Sequence, residues 1–508
     1  MLIEQKVRMI FGLKLRQLRQ KGGWSLKGLA ENCGISVSYL NEIEKGKKFP
    51  KTEKIVALSQ ALGVSYEEMV SLKVTKNLTP VAELLNSDFL KELPLEVFGI
   101  GIESLVEIIS NAPVKVSAFI STIISITRNY EMPAELFLLA TLRSYQELHD
   151  NYFEDLEEAA ERFVAEFDLP PTLPVSAGHL QTLLAEQYNY RIEENHLGKF
   201  PELQGIRSVF VEHKDGNKLL LNNNLNPAQT AFQLAKELGY NYLQLSGRNN
   251  TQSWVRIKSF EQALNNFKAS YFAGALFLNR HAVVRDVERF LASETFDGEQ
   301  LLQIINSYNV SSDTFFHRLT SIAPTFLGLN ELFFARVSHV KGSNHFDITK
   351  ELHLPNLHNL HGNELNEHYC RRWVGISVLS ELEQQQNNGK IPPEALVKVQ
   401  RALSLTSGNE YFCISVARTA YPTPNTNSSV SIGFLINKKF MNKVRFWNDI
   451  NVPVVLVSTT CERCKLNDCT ERAAEPSVLK KQVFHNKLES KIKEAISGAL
   501  EHKLPSEP

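Results

Sequence analysis

The chain of 508 residues has no apolar run that could cross a bilayer. Its longest apolar stretch, Val116 to Thr127, is about 12 residues with five hydroxyl side chains, where a spanning helix needs about 20 apolar residues. Met1 to Gln20 is polar and basic without an apolar centre, so a secretory leader is not expected and a cytoplasmic location is. Cysteine is scarce, six residues in all, which excludes a secreted disulfide framework. Net charge is almost absent at −1, but the balance is uneven. Residues 1–72 hold 12 Lys/Arg against 7 Asp/Glu, or +5, and the remaining 436 residues carry −6. A hydrophobic share of 43% with 22% charged residues is ordinary for a soluble globular protein, and the length predicts two to four domains.

The basic end carries the clearest pattern, Ser25 to Pro50. Ser25 stands where an N-cap belongs, and Leu26, Leu29, Ala30 and Cys33 follow at i, i+3, i+4 and i+7. Gly34 allows a tight turn, Ser36 caps a second segment, and Leu40 with Ile43 forms its inward stripe. Gly46 stops that segment and Pro50 prevents a restart. This is a helix-turn-helix whose second helix would enter a DNA major groove. Arg8 to Gln20, Lys51 to Leu62 and the short SYEEMVSL complete five helices, with Lys14, Arg16 and Arg19 expected to face phosphates. The runs GLAENCGIS, YLNEIEKGKKFP and LSQALGVS resemble the lambda-repressor-like (XRE) regulators. That resemblance implies base contacts from Ser25, Val37, Ser38 and Glu42, with Tyr39 and Asn41 on the same outer face, and phosphate contacts from Lys45, Lys47 and Lys48.

Beyond a linker at 73–78 the pattern is helical over 79–167: Leu84 to Leu93, Glu96 to Ser110, Val114 to Asn129 and Glu135 to Phe167. The acidic run Glu154, Asp155, Glu157, Glu158 and Glu161 reads as a solvated helix face, and the region as a dimerisation or relay element. After Pro170, Pro171 and Pro174 come a helix (Ala177 to Gln187), the strand-like SVFVEH and KLLLNNNL, and a helix opened by Asn226-Pro227. This order resembles the ImmA/IrrE-type metallopeptidases, which place HExxH on that helix: two imidazoles at i and i+4 hold Zn²⁺ and the Glu activates water. Here the five positions are Lys236, Glu237, Leu238, Gly239 and Tyr240, and only the Glu matches. An ammonium and a phenol do not replace two neutral imidazoles, and Asn265 to Ala273 offers no acidic third ligand. An active peptidase that cleaves a partner repressor is therefore the weaker alternative.

The stretches FKASYFAGALFL, SSDTFFHRLTSIAP and ELFFARVSHVKG resemble the short-chain fatty-acyl regulators, which include regulators of propionate and acetate metabolism. The resemblance implies an XRE domain joined to a zinc-less, zincin-like sensor whose old cleft takes an acyl-CoA effector. Such a ligand needs cations for its phosphates and an apolar slot for its acyl arm. Lys236, His317, Arg318 and Arg336 are candidates for the first, Tyr240 and Tyr271 for the second. Six of the 14 histidines fall between His339 and His368, but their spacings repeat no ligand pattern and fit a polar connector; His358 and His361 form the one close pair.

In the last part Glu367 to Gln386 and Pro393 to Leu405 read as helices, and YFCISVARTA, SVSIGFLIN and VPVVLVSTT as strands of an antiparallel sheet. Cys461, Cys464 and Cys469 follow as C-x2-C-x4-C, three thiolates able to share one soft metal. Cys370 in HYCRRW is the fourth ligand the resemblance implies, while Cys413 lies in an apolar strand and packs. The family favours a [4Fe–4S] cluster; the cysteines alone fit Zn²⁺ equally.

The expected architecture is thus multidomain and mainly α with α+β parts. It comprises a five-helix DNA-binding domain (1–72), a helical linker or dimerisation region (79–167), a degenerate peptidase-like sensor (170–364) and a small α/β cysteine-bearing domain (365–508). The expected function is a regulator of double-stranded DNA, working as a homodimer or higher homo-oligomer away from membranes, with no catalysis. A purely redox-sensing regulator is the third reading.

Overall fold

The computed structural model describes residues 3–71, 134–169, 175–248, 259–354, 367–388 and 395–501. The expected helices between Leu84 and Asn129 lie outside the described residues, as do His358 and His361. Contacts divide the chain into two units, residues 1–145 with 254–264, and 146–253 with 265–508.

In the first unit five helices form as the capping pattern requires: α1 (Ile3–Lys21), α2 (Leu26–Asn32), α3 (Val37–Glu44), α4 (Thr52–Leu62) and α5 (Tyr66–Val70). Ser25 Oγ accepts the Gly28 N–H and Ser36 Oγ accepts the Tyr39 N–H, satisfying donors that a helix start leaves free. Phe11, Leu15, Leu29, Ala30, Leu40, Ile43, Ile55, Leu58 and Met69 make the core. Two expected phosphate contacts are corrected here. Lys14 is buried, and its Nζ is held by the carbonyls of Glu68 and Ser71 and by Ser71 Oγ. Arg19 forms a two-pronged pair with buried Glu44, Nε–Oε1 2.6 Å and Nη2–Oε2 2.9 Å, which ties α1 to the end of α3.

Helix α6 (Ala134–Leu148) precedes α7 (Glu154–Glu166), which carries the acidic run. That run is a solvated face only in part: Glu154, Asp155 and Glu158 are exposed. Glu157 is buried and paired with Arg318, and Arg280 reaches both Glu154 (2.6 Å) and Glu161 (3.0 Å). Arg162 pairs with Glu158 one turn on along the same helix, but the cations that hold Glu154, Glu157 and Glu161 lie more than a hundred residues away in sequence, where periodicity on one helix gives no sign of them.

The second unit then builds α8 (Ala177–Tyr188) and a small sheet of β1 (Tyr190–Glu193), β2 (Ser208–Val211) and β3 (Asn217–Leu221), in the order β1-β3-β2. Helix α9 (Pro227–Tyr242) follows, opened by a capping box between Asn226 and Gln229. Next come α10 (Phe260–Phe277), α11 (Arg280–Leu291), α12 (Gly298–Ser307) and α13 (Ser312–Ile322).

The large sheet has six strands: β4 (Leu332–Val340), β5 (Asp347–Leu354), β6 (Leu396–Ser404), β7 (Glu410–Thr419), β8 (Thr426–Leu435) and β9 (Val454–Val457). Their order is β5-β4-β8-β7-β6-β9, antiparallel except for β6 with β9. Two expectations change. Leu396–Ser404 is a strand rather than part of a helix, because eight paired positions with β7 override its local pattern. The expected boundary at 364/365 cuts one sheet in two, since β4 pairs with β8 along nine residues.

Strand alternation gives this sheet two different faces. On one, Phe334, Leu352, Phe412, Ile414, Ile432 and Phe434 pack with α11 to α13. On the other, Phe333, Tyr411, Cys413 and Ala417 meet α14 (Val374–Asn387) and its approach. Helix α14 comes close because its contact is small. A Cβ on Gly375 would stand 2.6 Å from Ser431 Oγ, and Ser429 Oγ donates to the Gly375 carbonyl at 2.5 Å. The short α15 (Lys438–Lys443) and the long α16 (Ser477–Glu501) complete the fold.

Candidate functional site

Three places carry candidate chemistry. The first is the face of α3. Val37, 41% exposed, and Ser38 open the helix on its outer side, while Leu40 and Ile43 are fully buried beneath. Tyr39, Asn41, Glu42 and Lys45 are half-buried on that helix and its cap; Ser25, Lys47 and Lys48 are exposed. Lys48 bonds Glu42 at 2.8 Å, so this lysine orients the carboxylate for which the resemblance implies a base contact. A short apolar side chain at the helix start suits a thymine methyl, and the flanking lysines suit the backbone.

The second place is the former peptidase helix α9. Glu237 is buried and fully engaged: Tyr190 Oη donates to Oε1 at 2.8 Å, and Arg248 Nη1 bonds the same oxygen. Arg248 is itself stacked on Phe210 and lies 5.2 Å from the centre of the Tyr240 ring. Burial, then Glu237, pushes the Tyr240 phenol up, so it stays protonated. Lys236 is 4% exposed and donates to Asn266 Oδ1, a residue of the stretch that supplies no acidic ligand. Burial is the main cause that brings its pKa down to about 7, with Arg207 and Lys350 adding to it and Glu237 opposing.

Around Lys236 the fold gathers two nominated residues, His317 and Arg336, and three charges that sequence reasoning missed, Arg207, Asp313 and Lys350. Arg207 precedes β2, Asp313 and His317 sit at i and i+4 on α13, and Arg336 and Lys350 face each other across β4 and β5. Each of these groups acts electrostatically on others of the set. Burial pushes the Asp313 carboxyl up, but Lys350, Arg336 and Arg207 outweigh it and hold it well below the usual range. Burial, then Lys350, lowers His317 to about 3, so its imidazole is neutral. Burial likewise lowers Lys350. Asp313 and Arg336, 3.4 Å apart, lie deep in the fold yet keep 20% and 22% of their side-chain surface accessible, so they line a recess. Arg336 Nε has no hydrogen-bond partner and neither does Asp313 Oδ1. The only sequence signal was the Asp313/His317 spacing; Lys350 is set opposite Arg336 by the pairing of β4 with β5, and Arg207 comes from the edge of the other, smaller sheet.

Two proposed ligand residues are removed from this set. Arg318 is held by Glu157 in a two-pronged pair (2.5 and 2.7 Å) and donates Nε to the Leu278 carbonyl. Tyr271 Oη donates to Glu157 at 2.6 Å and accepts the Phe153 N–H. Both are buried and fasten α7, α10 and α13 together.

The third place is the cysteine segment. Residues 367–370 run beside 460–463. Cys461 N–H donates to the His368 carbonyl at 2.8 Å, Cys370 N–H to the Thr459 carbonyl, and Arg463 clasps Glu367. Cys370, Cys461 and Cys464 are thereby buried as neighbours. Burial pushes the Cys370 thiol up, Cys461 and Cys464 push it further, and N–H groups of Ser458 and Arg372 favour its thiolate. Cys461 Sγ accepts the Ala473 N–H at 3.3 Å. Cys469 is half-buried on the same turn. Among the described residues no group of three His, Cys, Asp or Glu side chains is set to hold a metal ion. The donor set nonetheless fits a thiophilic group, since N–H donors around cysteine sulfurs are what tunes such sites. Cys413 is fully buried with its thiol pushed up by burial, a packing residue as expected. His339 is likewise structural, between Glu383 (2.8 Å) and the His345 carbonyl (2.9 Å).

Residues 15–69 match the helix-turn-helix family and residues 199–320 match the IrrE N-terminal-like domain. Over 499 residues the chain is 23% identical to the HTH-type transcriptional regulator RamB of Mycobacterium tuberculosis, covering 91% of this chain and 94% of RamB. Its matched domains and its similarity along the chain are those of DNA-binding transcriptional regulators. The chain is also 23% identical to the HTH-type transcriptional regulator PrpR of M. tuberculosis over 498 residues, covering 91% of each chain. It is 23% identical to the propionyl-CoA carboxylase regulator of Cereibacter sphaeroides over 329 residues, or 61% of this chain, and spans 64% of that relative's length. Among its described residues no helix is long and apolar enough to cross a membrane.

Proposed function

We propose that this regulator senses an acyl-coenzyme A thioester, or a related anionic metabolite, in the recess beside Lys236 and answers by changing its hold on DNA. The observation that carries the reading is the convergence of Arg207, Arg336 and Lys350 on Asp313 beneath the lost zinc positions. Buried cations in excess of carboxylates are costly unless an anion joins them, and phosphate groups suit guanidinium donors. Hydrolysis is disfavoured: Glu237, the residue that would activate water, is clamped by Arg248 and Tyr190. The relative named as a propionyl-CoA carboxylase regulator supports the metabolic direction. Ligand would favour one arrangement of a homodimer, and dimer geometry sets half-site spacing.

Cys370, Cys461, Cys464 and Cys469 would hold an iron–sulfur cluster or zinc. A cluster supplies sensitivity to oxidants when bound; zinc supplies a clamp. The chain's own part is to keep the thiols buried and to aim N–H donors at Cys370 and Cys461.

The test titrates acetyl- and propionyl-CoA into the purified full chain on its own promoter, followed by mobility shift. An apparent DNA affinity changed about fivefold or more is expected, with loss of the response in Lys350→Met. No response to any acyl chain length would sink the effector reading and leave DNA binding untouched. Anaerobic purification addresses the cysteines: a colourless, metal-free protein would remove the metal group.

A further inference from the structure

Helix α14 is polar where it should be plain. Its inner residues Ile376, Val378, Leu379 and Leu382 pack on the sheet. Beside them Ser377, Ser380, Glu381, Gln384, Gln385 and Asn388 recur at i, i+3, i+4, i+7, i+8 and i+11, a polar stripe three turns long. This stripe forms one wall of a cavity of about 770 Å³, and β6 with the segment before β9 forms another. The volume falls among those of small-molecule sites, roughly 300–1,000 Å³.

The lining is rich in donors without partners. Gln400, 4% exposed on β6, lines the cavity, and its Nε2 has no hydrogen-bond partner. A buried amide left in that state is a standing cost that a ligand oxygen would remove. Arg372 also lines the cavity. Its Nε is fixed on the Leu456 carbonyl at 2.8 Å, which leaves the two Nη groups of an oriented fork unbonded among the described residues. Of the other charges, Lys398 is paired with Glu381 at 2.7 Å, and Arg371 bonds Asn344. Glu471, exposed, is a remaining acid of the lining. A fixed guanidinium fork and a buried amide N–H₂ are suited to an oxyanion, and the stripe of α14 to hydroxyl, amide or ammonium groups carried next to it.

We infer that the cavity between α14 and β6 is a second effector site, for a small polar metabolite bearing one carboxylate or phosphate group. Arg372 and Gln400 hold the oxyanion, and Gln384, Asn388 and Glu471 bind the polar remainder. The site stands apart from the recess beside Lys236: Gln400 and Arg336 lie on opposite faces of the sheet, as alternation along β6 and β4 and their partners requires. It abuts the cysteine segment, because Arg372 follows Cys370 by two residues and Glu471 follows Cys469 by two.

The experiment is calorimetric titration of the full chain with inorganic phosphate, lactate and serine, one probe for each oxyanion source and one zwitterion. At least one should bind. Gln400→Leu, close in size and free of the unpartnered donor, should keep the fold and weaken that probe tenfold or more. Gln384→Ala, on the exposed wall, should weaken it less. Lys350→Met should leave it unchanged. Absence of binding by all three probes overturns the inference, as does equal binding to Gln400→Leu. Loss in Lys350→Met would assign the anion to the other recess and overturn it too.

Discussion

Replacing Lys236 by methionine should make the protein more stable, and by an amount that depends on pH. Methionine keeps the length and packing of the side chain and removes the ammonium. The folded pKa of about 7, against 10.5 for an unperturbed lysine, corresponds at 1.36 kcal/mol per pH unit to about 5 kcal/mol when the amine is charged in both states. Below pH 7 folded and unfolded chains are both protonated, and this full cost is present. Between pH 7 and 10.5 only the unfolded chain is protonated, so the wild type gains stability as pH rises. Above 10.5 the cost is gone. The advantage of Lys236→Met should therefore shrink by about 3 kcal/mol between pH 6 and pH 9. Denaturant unfolding of both proteins at pH 6, 7.5 and 9 measures it. An advantage that stays constant, or a variant less stable at every pH, would refute the reasoning. If the recess takes an anion, the stabilised variant should also lose response to it, the familiar exchange of stability for function.

Other outcomes follow from the pairs and faces described above. Arg19→Met strands buried Glu44 and should destabilise the DNA-binding unit by about 3–5 kcal/mol, read from Trp24 fluorescence during unfolding. Its effect on DNA affinity should disappear at temperatures where that unit stays folded, unlike the loss of a phosphate contact. Glu157→Gln leaves Arg318 buried without its counter-charge and should cost about 3–5 kcal/mol, seen as a lower Tm, with the acyl-CoA response of the surviving folded protein intact. Val37→Ala and Ser38→Ala should change preference among operator bases by about 1–3 kcal/mol. Lys47→Ala should weaken all sequences alike and reduce the salt dependence by about one counterion.

The DNA-binding unit was legible because everything that forms it is local: caps, stripes and glycine stops lie within one or two turns of what they control. Its misread residues, Lys14 and Arg19, look like any surface cations until tertiary partners are known. The lost zinc site was legible for the same reason, as five consecutive positions suffice to reject it. The recess was not. Lys236, His317 and Arg336 are nominated by the sequence, but Arg207, Asp313 and Lys350 join them only through the packing of two helices and two sheets, and Arg318 is nominated although Glu157 holds it. The sheet was half legible: β7, β8 and β9 carry β-branched runs, whereas Leu396–Ser404 reads like a helix and becomes a strand through pairing.

The step in the pairing of β4 with β5, where Thr349 of β5 is passed over between Arg336 and Val337, acquires a meaning from its neighbours. Phe333 touches the core around Cys370, Phe334 the helical core, and Arg336 the cationic recess. A single residue inserted into or deleted from β4 would invert this parity. It would drive a guanidinium towards the thiols and an aromatic ring among the cations. Insertions of one residue in β4 should thus abolish both sensing regions together. Insertions of two restore the parity, so homologues that differ in length there should do so by even numbers.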